Sequence, residues 1–451
     1  MTTQDIKAGW TSGAATQDTI YALSTAPGRA GVAVIRISGP KSADALFRLT
    51  GCAAPPPRRA SLRRIHHPRN GELIDNALVF LFEEGASFTG EEIAELHVHG
   101  GVAVVSATLD ALGSLHGLRP AAPGEFTRRA FDNGELDLAQ VEGLADLISA
   151  ETELQRRQAL QLIGGELSKK AEHWRAELIY ALAMVEATID WADEEVPVNV
   201  SPEVSARLRS VSAQLEKEIA GATAARALRD GFEIAIIGAP NVGKSSLINA
   251  IGRCETSIIS PLPGTTRDVI EMRCDVMGAP VTFLDTAGLR EAEDIVERIG
   301  VDRAKKRAAG ADLRVVVSCP DIYDGCEAHG STGDVLFWNK ADLGGSAPSM
   351  DWIAGSAKLA HGVDALVERI AEILRTKTAA SSLAANDRVV SRLRQGREFA
   401  LAAADALELG GESELVSEEI RGAIRSLEEI VGRIETDDML DVVFSQFCIG
   451  K

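Results

Sequence analysis

Apolar positions change their spacing several times along this chain, and each change marks a different kind of element. Through about residue 120, short apolar runs alternate with glycine turns, which predicts an α+β region. Strands are expected at 32–37, opened by the turn Pro27-Gly28-Arg29-Ala30-Gly31, and again at 78–82 and 93–98. From Leu136 the period becomes helical. Leu138, Val141, Leu144, Ala145 and Ile148 share one face, as do Ala171, Trp174, Leu178, Leu182, Val185 and Ile189. Gly164-Gly165 bends or breaks the run between them. Pro197 stops the second helix, Pro202 opens the next, and Val204, Leu208, Val211, Leu215 and Ile219 carry its stripe. A β-branched run at 232–237 then reads as a buried strand, and Leu247, Ile248 and Ile251 follow at helical spacing. Helices return at 389–409 and 415–434, separated by Gly410-Gly411. Neither helical stretch is large enough to bury its stripes alone. They are expected to pack on each other, with the intervening α/β segment inserted between them.

The chain has 451 residues, room for several domains. The expected boundaries are 1–134, 135–230, 231–377 and 378–451. An apolar content of 45% supplies real cores. The formal net charge of −19 argues against a chain that grips nucleic acid unaided, because that binding works by neutralising phosphates. An RNA role would need a local basic patch or a basic partner. Six cysteines lack paired C-x-x-C spacing, so neither a disulfide framework nor a zinc site is indicated. No apolar run is long enough for a membrane span, and the N-terminus lacks signal- or transit-peptide character, so the cytoplasm is expected.

The chemistry is concentrated after the buried strand. Residues 238–246 read Gly-Ala-Pro-Asn-Val-Gly-Lys-Ser-Ser, a phosphate-binding loop between a strand and a helix. That context aims backbone N–H groups and the positive end of a helix dipole at a polyphosphate. Lys244 would reach the β- and γ-phosphates, and Ser245 would ligate Mg2+. Asp285-Thr286-Ala287-Gly288 closes the strand at 281–284; Asp285 is placed to hold magnesium through water, and Gly288 to offer its N–H to the γ-phosphate. Asn339-Lys340-Ala341-Asp342 reads the base, since a carboxylate paired with guanine N–H groups is left unpaired opposite adenine. Ser356-Ala357-Lys358 would complete that pocket. The chain is therefore expected to bind GTP. Leu289 stands where many GTPases carry a water-orienting glutamine, leaving Arg290, Glu291, Glu293 and Glu297 as polar candidates. Thr265 and Thr266 follow the loop at the distance of a magnesium-completing switch threonine. Spacing assigns no arginine finger, so a partner arginine or a bound cation must meet the γ-phosphate charge.

The segment's Pro-Asn-x-Gly-Lys-Ser and Pro-Gly-Thr-Thr-Arg-Asp sequences resemble the TrmE–Era–EngA–Septin class of GTPases. The whole chain resembles the MnmE (TrmE) family of tRNA-modification GTPases. Four stretches outside the GTPase motifs carry this: residues 27–39, 88–101 (from Phe-Thr-Gly-Glu-Glu), 123–139 (from Pro-Gly-Glu-Phe) and the terminal Phe447-Cys448-Ile449-Gly450-Lys451. The resemblance implies a multidomain α+β and α/β protein. An N-terminal α+β folate-binding and dimerisation domain would be followed by a discontinuous helical domain, with an inserted P-loop GTPase domain of mixed sheet flanked by helices. It implies K+-stimulated closure of two GTPase domains, with potassium ligands at Asn241, Ser260, Leu262 and Thr265 and magnesium ligands at Ser245 and Thr266. Glu297 matches a glutamate that helps to orient the water. The GTP contacts would span Asn241, Val242, Gly243, Lys244, Ser245, Ser246, Ser260, Thr265, Thr266 and the guanine-reading residues above. Arg36, Glu95 and Lys451 match positions that hold 5-formyltetrahydrofolate, and Cys448 lies on the same tail. Glu135 departs from the family's basic residue before Leu-Asp-Leu, which removes one expected folate contact. His97 and His99 share a strand face without a third metal ligand, which favours ordinary sheet packing.

The activity implied is GTP hydrolysis coupled, with a flavin- and NADH-using partner of the MnmG (GidA) type, to modification of C5 of the wobble uridine in certain tRNAs. An aminomethyl or carboxymethylaminomethyl group would be added from a folate one-carbon unit by a homodimer. Two alternatives stay open: a ribosome-assembly switch of the Era or EngA type, and a folate-dependent transferase regulated by GTP.

Overall fold

The structure is a computed structural model that describes residues 18–190, 201–254, 271–285, 309–322, 333–379, 381–433 and positions 440, 443, 444, 447 and 450. The chain divides into two compact units, one formed by residues up to Ala145 together with those from Val431 onward, the other by Asp146–Ile430.

The first unit is built on a six-stranded sheet. Its strands are β1 (Thr19–Leu23), β2 (Ala33–Ser38), β3 (Ser61–His66), β4 (Leu73–Phe82), β5 (Ile93–Val98) and β6 (Leu118–Pro120), in the order β3-β4-β5-β2-β1-β6. All neighbours are antiparallel except β1 and β6. Helices α1 (Ser42–Thr50) and α2 (Val102–Gly113) bury Leu46, Leu49 and Leu112 against Ile35, Ile37, Ile65 and Leu96 of the sheet. Helices α3 (Glu125–Asp132) and α4 (Leu138–Ser149) follow. A second cluster joins Leu138 and Val141 of α4 to Leu440, Phe444 and Phe447 near the chain end. Gly450 lies so close to the backbone at Leu23 and Ser24 that no side chain would fit there.

The second unit begins with α5 (Glu153–Ile163), α6 (Glu166–Asp190) and α7 (Ser201–Asp230). Gly165, with a positive φ of 72°, breaks the helix between α5 and α6. A mixed sheet follows: β7 (Phe232–Ile237), β8 (Glu271–Val276), β9 (Ala279–Asp285), β10 (Leu313–Ser318), β11 (Val335–Trp338) and β12 (Trp352–Ala354), in the order β12-β11-β10-β7-β9-β8. Only the β8–β9 pair is antiparallel. Helices α8 (Lys244–Cys254) and α9 (Val363–Thr378) cover the sheet through Leu247, Ile251, Leu366 and Ile370. The chain then returns to helix in α10 (Asp387–Glu408) and α11 (Ser413–Val431).

Helices α7 and α10 lie along each other. Ser205 and Arg209 hydrogen-bond Glu408, and Arg397 and Arg226 form ion pairs with Glu216 and Asp387. The pairs climb one helix as they descend the other, so the two run antiparallel. The point where the chain leaves α7 for the sheet therefore sits beside the point where it re-enters helix. Helical stretches from before and after the sheet thus share one layer, with the mixed sheet inserted between them.

One contact ties the helices to the sheet directly. Leu154, in the first turn of α5, donates its N–H to the Gly278 carbonyl in the β8–β9 turn (3.2 Å) and packs against the core of the sheet.

Candidate nucleotide site

The buried strand β7 ends at Ile237, and the loop beyond it is set by backbone geometry. Gly238 and Gly243 take φ values of 151° and 97°, and Asn241 adopts 67°. A Cβ at position 238 would strike the Val317 carbonyl, and one at 243 would strike the Asn339 amide. Only glycine fits either place. Helix α8 starts at Lys244, so its free N–H groups open onto the loop.

Lys244 is buried and donates to the carbonyls of Gly238 (2.8 Å) and Ala239 (3.0 Å). Burial lowers its pKa, with the Asp285 carboxylate pulling the other way. The Ser245 hydroxyl donates to Asp285 Oδ2 at 2.5 Å. Asp285 is buried at the end of β9, opposite Ile236 of β7. Asn241 and Ser246 are exposed on the loop and the helix start, while Val242 is fully buried.

The base-reading residues are joined to that loop by one side chain. Asn339, buried at the end of β11, donates from Nδ2 to the Val242 carbonyl (2.7 Å) and accepts the Ala357 N–H at Oδ1 (2.9 Å). Ser356 and His361 exchange backbone bonds, which closes the turn carrying Ala357 and Lys358. Lys340, with φ of 60°, faces Asp321 at 3.6 Å. Asp342 is exposed on a single 3₁₀ turn, Ala341–Leu343. The structure thus brings together Val242, Gly243, Lys244, Ser245, Asp285, Asn339 and Ala357 around one loop. Ser260, Leu262, Thr265, Thr266, Thr286, Ala287, Gly288, Glu297, Cys448 and Lys451 lie outside the described residues, as do Arg290, Glu291 and Glu293. The Ser245 hydroxyl at the start of α8 and the Asp285 carboxylate at the end of β9 are hard oxygen donors, a set that suits Mg2+.

A second polar group lies on the sheet of the first unit. Arg36 of β2 donates to Glu95 Oε1 of its register partner on β5 from Nε (3.0 Å) and Nη2 (2.9 Å). Its guanidinium stands 5.3 Å from the Phe88 ring centroid and 5.9 Å from that of Phe126. His97 reaches Glu95 Oε2 at 3.3 Å, and its ring lies tilted against Phe80 with centroids 4.8 Å apart. His99 lies beyond the strand and bonds Asp75 (2.8 Å). No cluster of metal-ligating side chains occurs among the described residues. Glu135 is exposed, its side chain beside Gly90.

Sequence reasoning missed the buried ionic network beneath this group. Arg129, 5% exposed, bonds Glu91, Glu125 and Asp18, while Arg119 bonds Glu125 with both Nη atoms and Asp18 with Nε. Ser38 adds a 2.6 Å bond to Glu91. Burial alone would raise the pKa of Glu125. Hydrogen bonds from Arg119 and the Ala122 N–H, with the charges of Arg119 and Arg129, outweigh burial and hold the carboxyl below its usual range. Two stretches that carry the family resemblance, Thr-Gly-Glu-Glu and Pro-Gly-Glu-Phe, meet here.

Comparison with known proteins gives the same picture along the chain. A family profile described as the MnmE helical domain matches residues 138–448, and one described as the GTP-binding protein TrmE N-terminus matches residues 19–135. The tRNA modification GTPase MnmE of Cereibacter sphaeroides (strain ATCC 17029) is 50% identical over 442 residues, covering 96% of this chain and all of the relative. That of Parvibaculum lavamentivorans is 47% identical at the same coverage. Among solved structures, the G domain of the T. maritima FeoB iron transporter is 21% identical over 32% of this chain and 98% of its own, with a TM-score of 0.25.

Proposed function

The chain belongs to the MnmE family of tRNA modification GTPases, and on that premise we propose that it is a potassium-stimulated GTP hydrolase whose turnover times a wobble-uridine modification. The observation that carries this reading is the pair of hydrogen bonds made by the Asn339 side chain, which ties the turn assigned to the base to the loop assigned to the phosphates. Recognition of guanine and of the triphosphate then become one event.

Lys244 holds its ammonium at the loop carbonyls, where incoming phosphate oxygens would replace them as partners. The N–H groups at the start of α8 stabilise negative charge developing on the phosphates. Ser245 and Thr266, with Asp285 acting through water, would hold Mg2+, which supplies charge neutralisation at the phosphates. Asp342 accepts from the guanine N–H groups, and Lys340, Ser356, Ala357 and Lys358 line the rest of the base pocket. Asn241 holds its amide on the exposed rim of the loop in a left-handed backbone. With Ser260, Leu262 and Thr265 it would hold K+ in the place of an arginine finger. Glu297 is assigned to orienting the attacking water, and Gly288 to the γ-phosphate.

In the first unit, the half-buried rings of Phe80 and Phe88 lie beside the Arg36 guanidinium and the Glu95 carboxylate. Flat aromatic surface beside a hydrogen-bonding carboxylate suits a pterin, which supports a 5-formyltetrahydrofolate site completed by Lys451 and the Cys448 tail. We assign 1–134 to folate binding and homodimerisation, 135–230 and 378–451 to the helical domain, and 231–377 to the GTPase domain. The protein would act in the cytoplasm with an MnmG (GidA)-type FAD/NADH protein, which carries much of the tRNA grip, to build aminomethyl or carboxymethylaminomethyl groups at C5. No described helix is long and apolar enough to cross a membrane.

The test is the initial rate of GTP hydrolysis in potassium chloride against sodium chloride at matched ionic strength. A potassium-specific gain is expected, lost in Asn241→Ala and absent with ATP. Equal slow rates in the two salts would refute potassium-assisted hydrolysis.

A further inference from the structure

Residues 53–71 contain five arginines and two histidines and no aspartate or glutamate, in a chain whose net charge is −19. They form strand β3 and its two flanking turns. β3 is the first strand of its sheet order, so among the described residues one of its edges has no strand neighbour. Arg58, Arg59, Arg64 and Arg69 are exposed there. Elsewhere in the molecule arginine is routinely answered by a carboxylate: Arg175 by Glu428, Arg207 by Glu177, Arg229 by Asp146. Among the described residues, none of the five on this edge makes an ion pair. The nearest acids in sequence are otherwise engaged. Asp75 accepts from both the backbone and the ring of His99, and Glu72 is bonded to Asn70 within the turn.

We propose that this edge, formed by β3 and its flanking turns, is a contact surface for the phosphate backbone of the substrate RNA. The proposal rests on the tRNA-modification reading and adds to it the surface of this chain that touches the tRNA. Guanidinium groups match phosphate oxygens in a planar, two-pronged geometry, and every such contact releases counterions from the polynucleotide. Several donors here are already held in place. Arg58 has a left-handed backbone (φ 57°), gives its N–H to the Leu81 carbonyl (2.8 Å) and anchors Nη2 on the Ala86 carbonyl (2.6 Å). Arg63 bonds its own neighbour's carbonyl through Nη1, while its Nε–H is buried with no acceptor. Donors are in surplus, and acceptors are what the surface lacks.

Edge strands do use charge to prevent pairing with other edges. That role is served by charges on the strand itself, such as Arg64. It does not explain Arg58, Arg59 and Arg69, which lie in the turns outside the strand. RNA is favoured over an acidic protein or a lipid surface because the family acts on tRNA, whose phosphates are the acceptors this edge is short of.

The test uses the full-length protein with its flavoprotein partner and a fluorescently labelled, unmodified tRNA transcript, titrated from 50 to 200 mM potassium chloride. The triple variant R59Q/R64Q/R69Q is expected to bind at least about 10-fold more weakly at the low salt, and its log–log salt slope should be shallower by about two to three. A control triple, R392Q/R421Q/R425Q, removes equally charged groups that already face Glu429, Glu186 and Glu418. It should stay within about two-fold of wild type. GTP hydrolysis should be the same in all three proteins. Unchanged tRNA affinity and slope in the first triple, or equal losses in both triples, would overturn the proposal. So would intact tRNA binding with lost binding to phosphatidylglycerol vesicles or to the flavoprotein, which would assign the edge to that partner instead. A wild-type complex that binds no tRNA would sink the tRNA-modification reading itself, an outcome separate from either.

Discussion

Asp342 stands exposed on one short turn, yet on the proposed reading its carboxylate would be the group that selects guanine over adenine. Two hydrogen bonds from ring and exocyclic N–H groups to that carboxylate would be charge-assisted, each worth about 1.5–3 kcal/mol. Asp342→Asn is therefore expected to lower kcat/KM for GTP by about 10²–10³-fold and to raise it for xanthosine triphosphate, whose ring presents a carbonyl in place of the amino group. Comparing hydrolysis of the two nucleotides checks this, and an undiminished preference for GTP would remove Asp342 from the pocket. At this scale the sequence was legible wherever chemistry is local. The glycines at 238 and 243, Lys244 and Ser245 are spaced by the loop itself, so their order in the chain is their order in space. Arg129 was not legible in that way. Its partners Asp18 and Glu91 are remote in sequence, and only the fold brings the three charges together.

Among elements, the same network fastens α3 to the start of β1 and to the segment before β5. Its carboxylates set the acid limit of the first unit. Glu125 and Asp18 both have folded pKa values below their ordinary values of 4.5 and 3.8, Asp18 because bonds and charge from Arg119 and Arg129 overcome its burial. A depressed carboxylate contributes stability that is complete above its unfolded pKa and lost as pH falls through the folded one. Amide protection in α3 and β1 should therefore hold steady from pH 7 to about 5 and decline below about 4.5. In Glu125→Gln the protection should be lower at neutral pH and flatter with acid. Hydrogen exchange measured across that range tests it; an acid profile unmoved by the substitution would exclude Glu125 as the cause. Element type was legible where the apolar period is sustained, as in α4, α6 and α7. The strands β1, β3 and β6 escaped notice. β6 has three residues, and β3 buries only Ile65 of its six, because an edge strand under one helix needs little apolar alternation. The turn glycine at 165 was readable as an interruption, and its left-handed backbone shows why the helix breaks there.

At the scale of the whole molecule, the antiparallel register of α7 and α10 sets the points where the chain leaves for the sheet and returns from it side by side. Replacing residues 231–377 by a short Gly/Ser linker should leave the helical layer folded, because Arg226 and Asp387 already hold the two ends side by side. Far-UV circular dichroism should show a higher helical fraction per residue than the full chain, and collapse of that signal would show that the helices depend on the sheet. The layered plan could be read from the change of hydrophobic period. The return of Phe444 and Phe447 to the first unit could not, since nothing local in the tail names its neighbours. The Leu154 contact was equally hidden, and it has a mechanical meaning. The turn at Gly278 that receives it opens strand β9, and the other end of that strand is Asp285, bonded to Ser245. The two ends are separated by roughly 23 Å of extended backbone, hydrogen-bonded on both sides to β7 and β8 and therefore stiff. Such a strand would act as a push-rod: on the proposed reading, a load applied at its Asp285 end would be delivered at the first turn of α5.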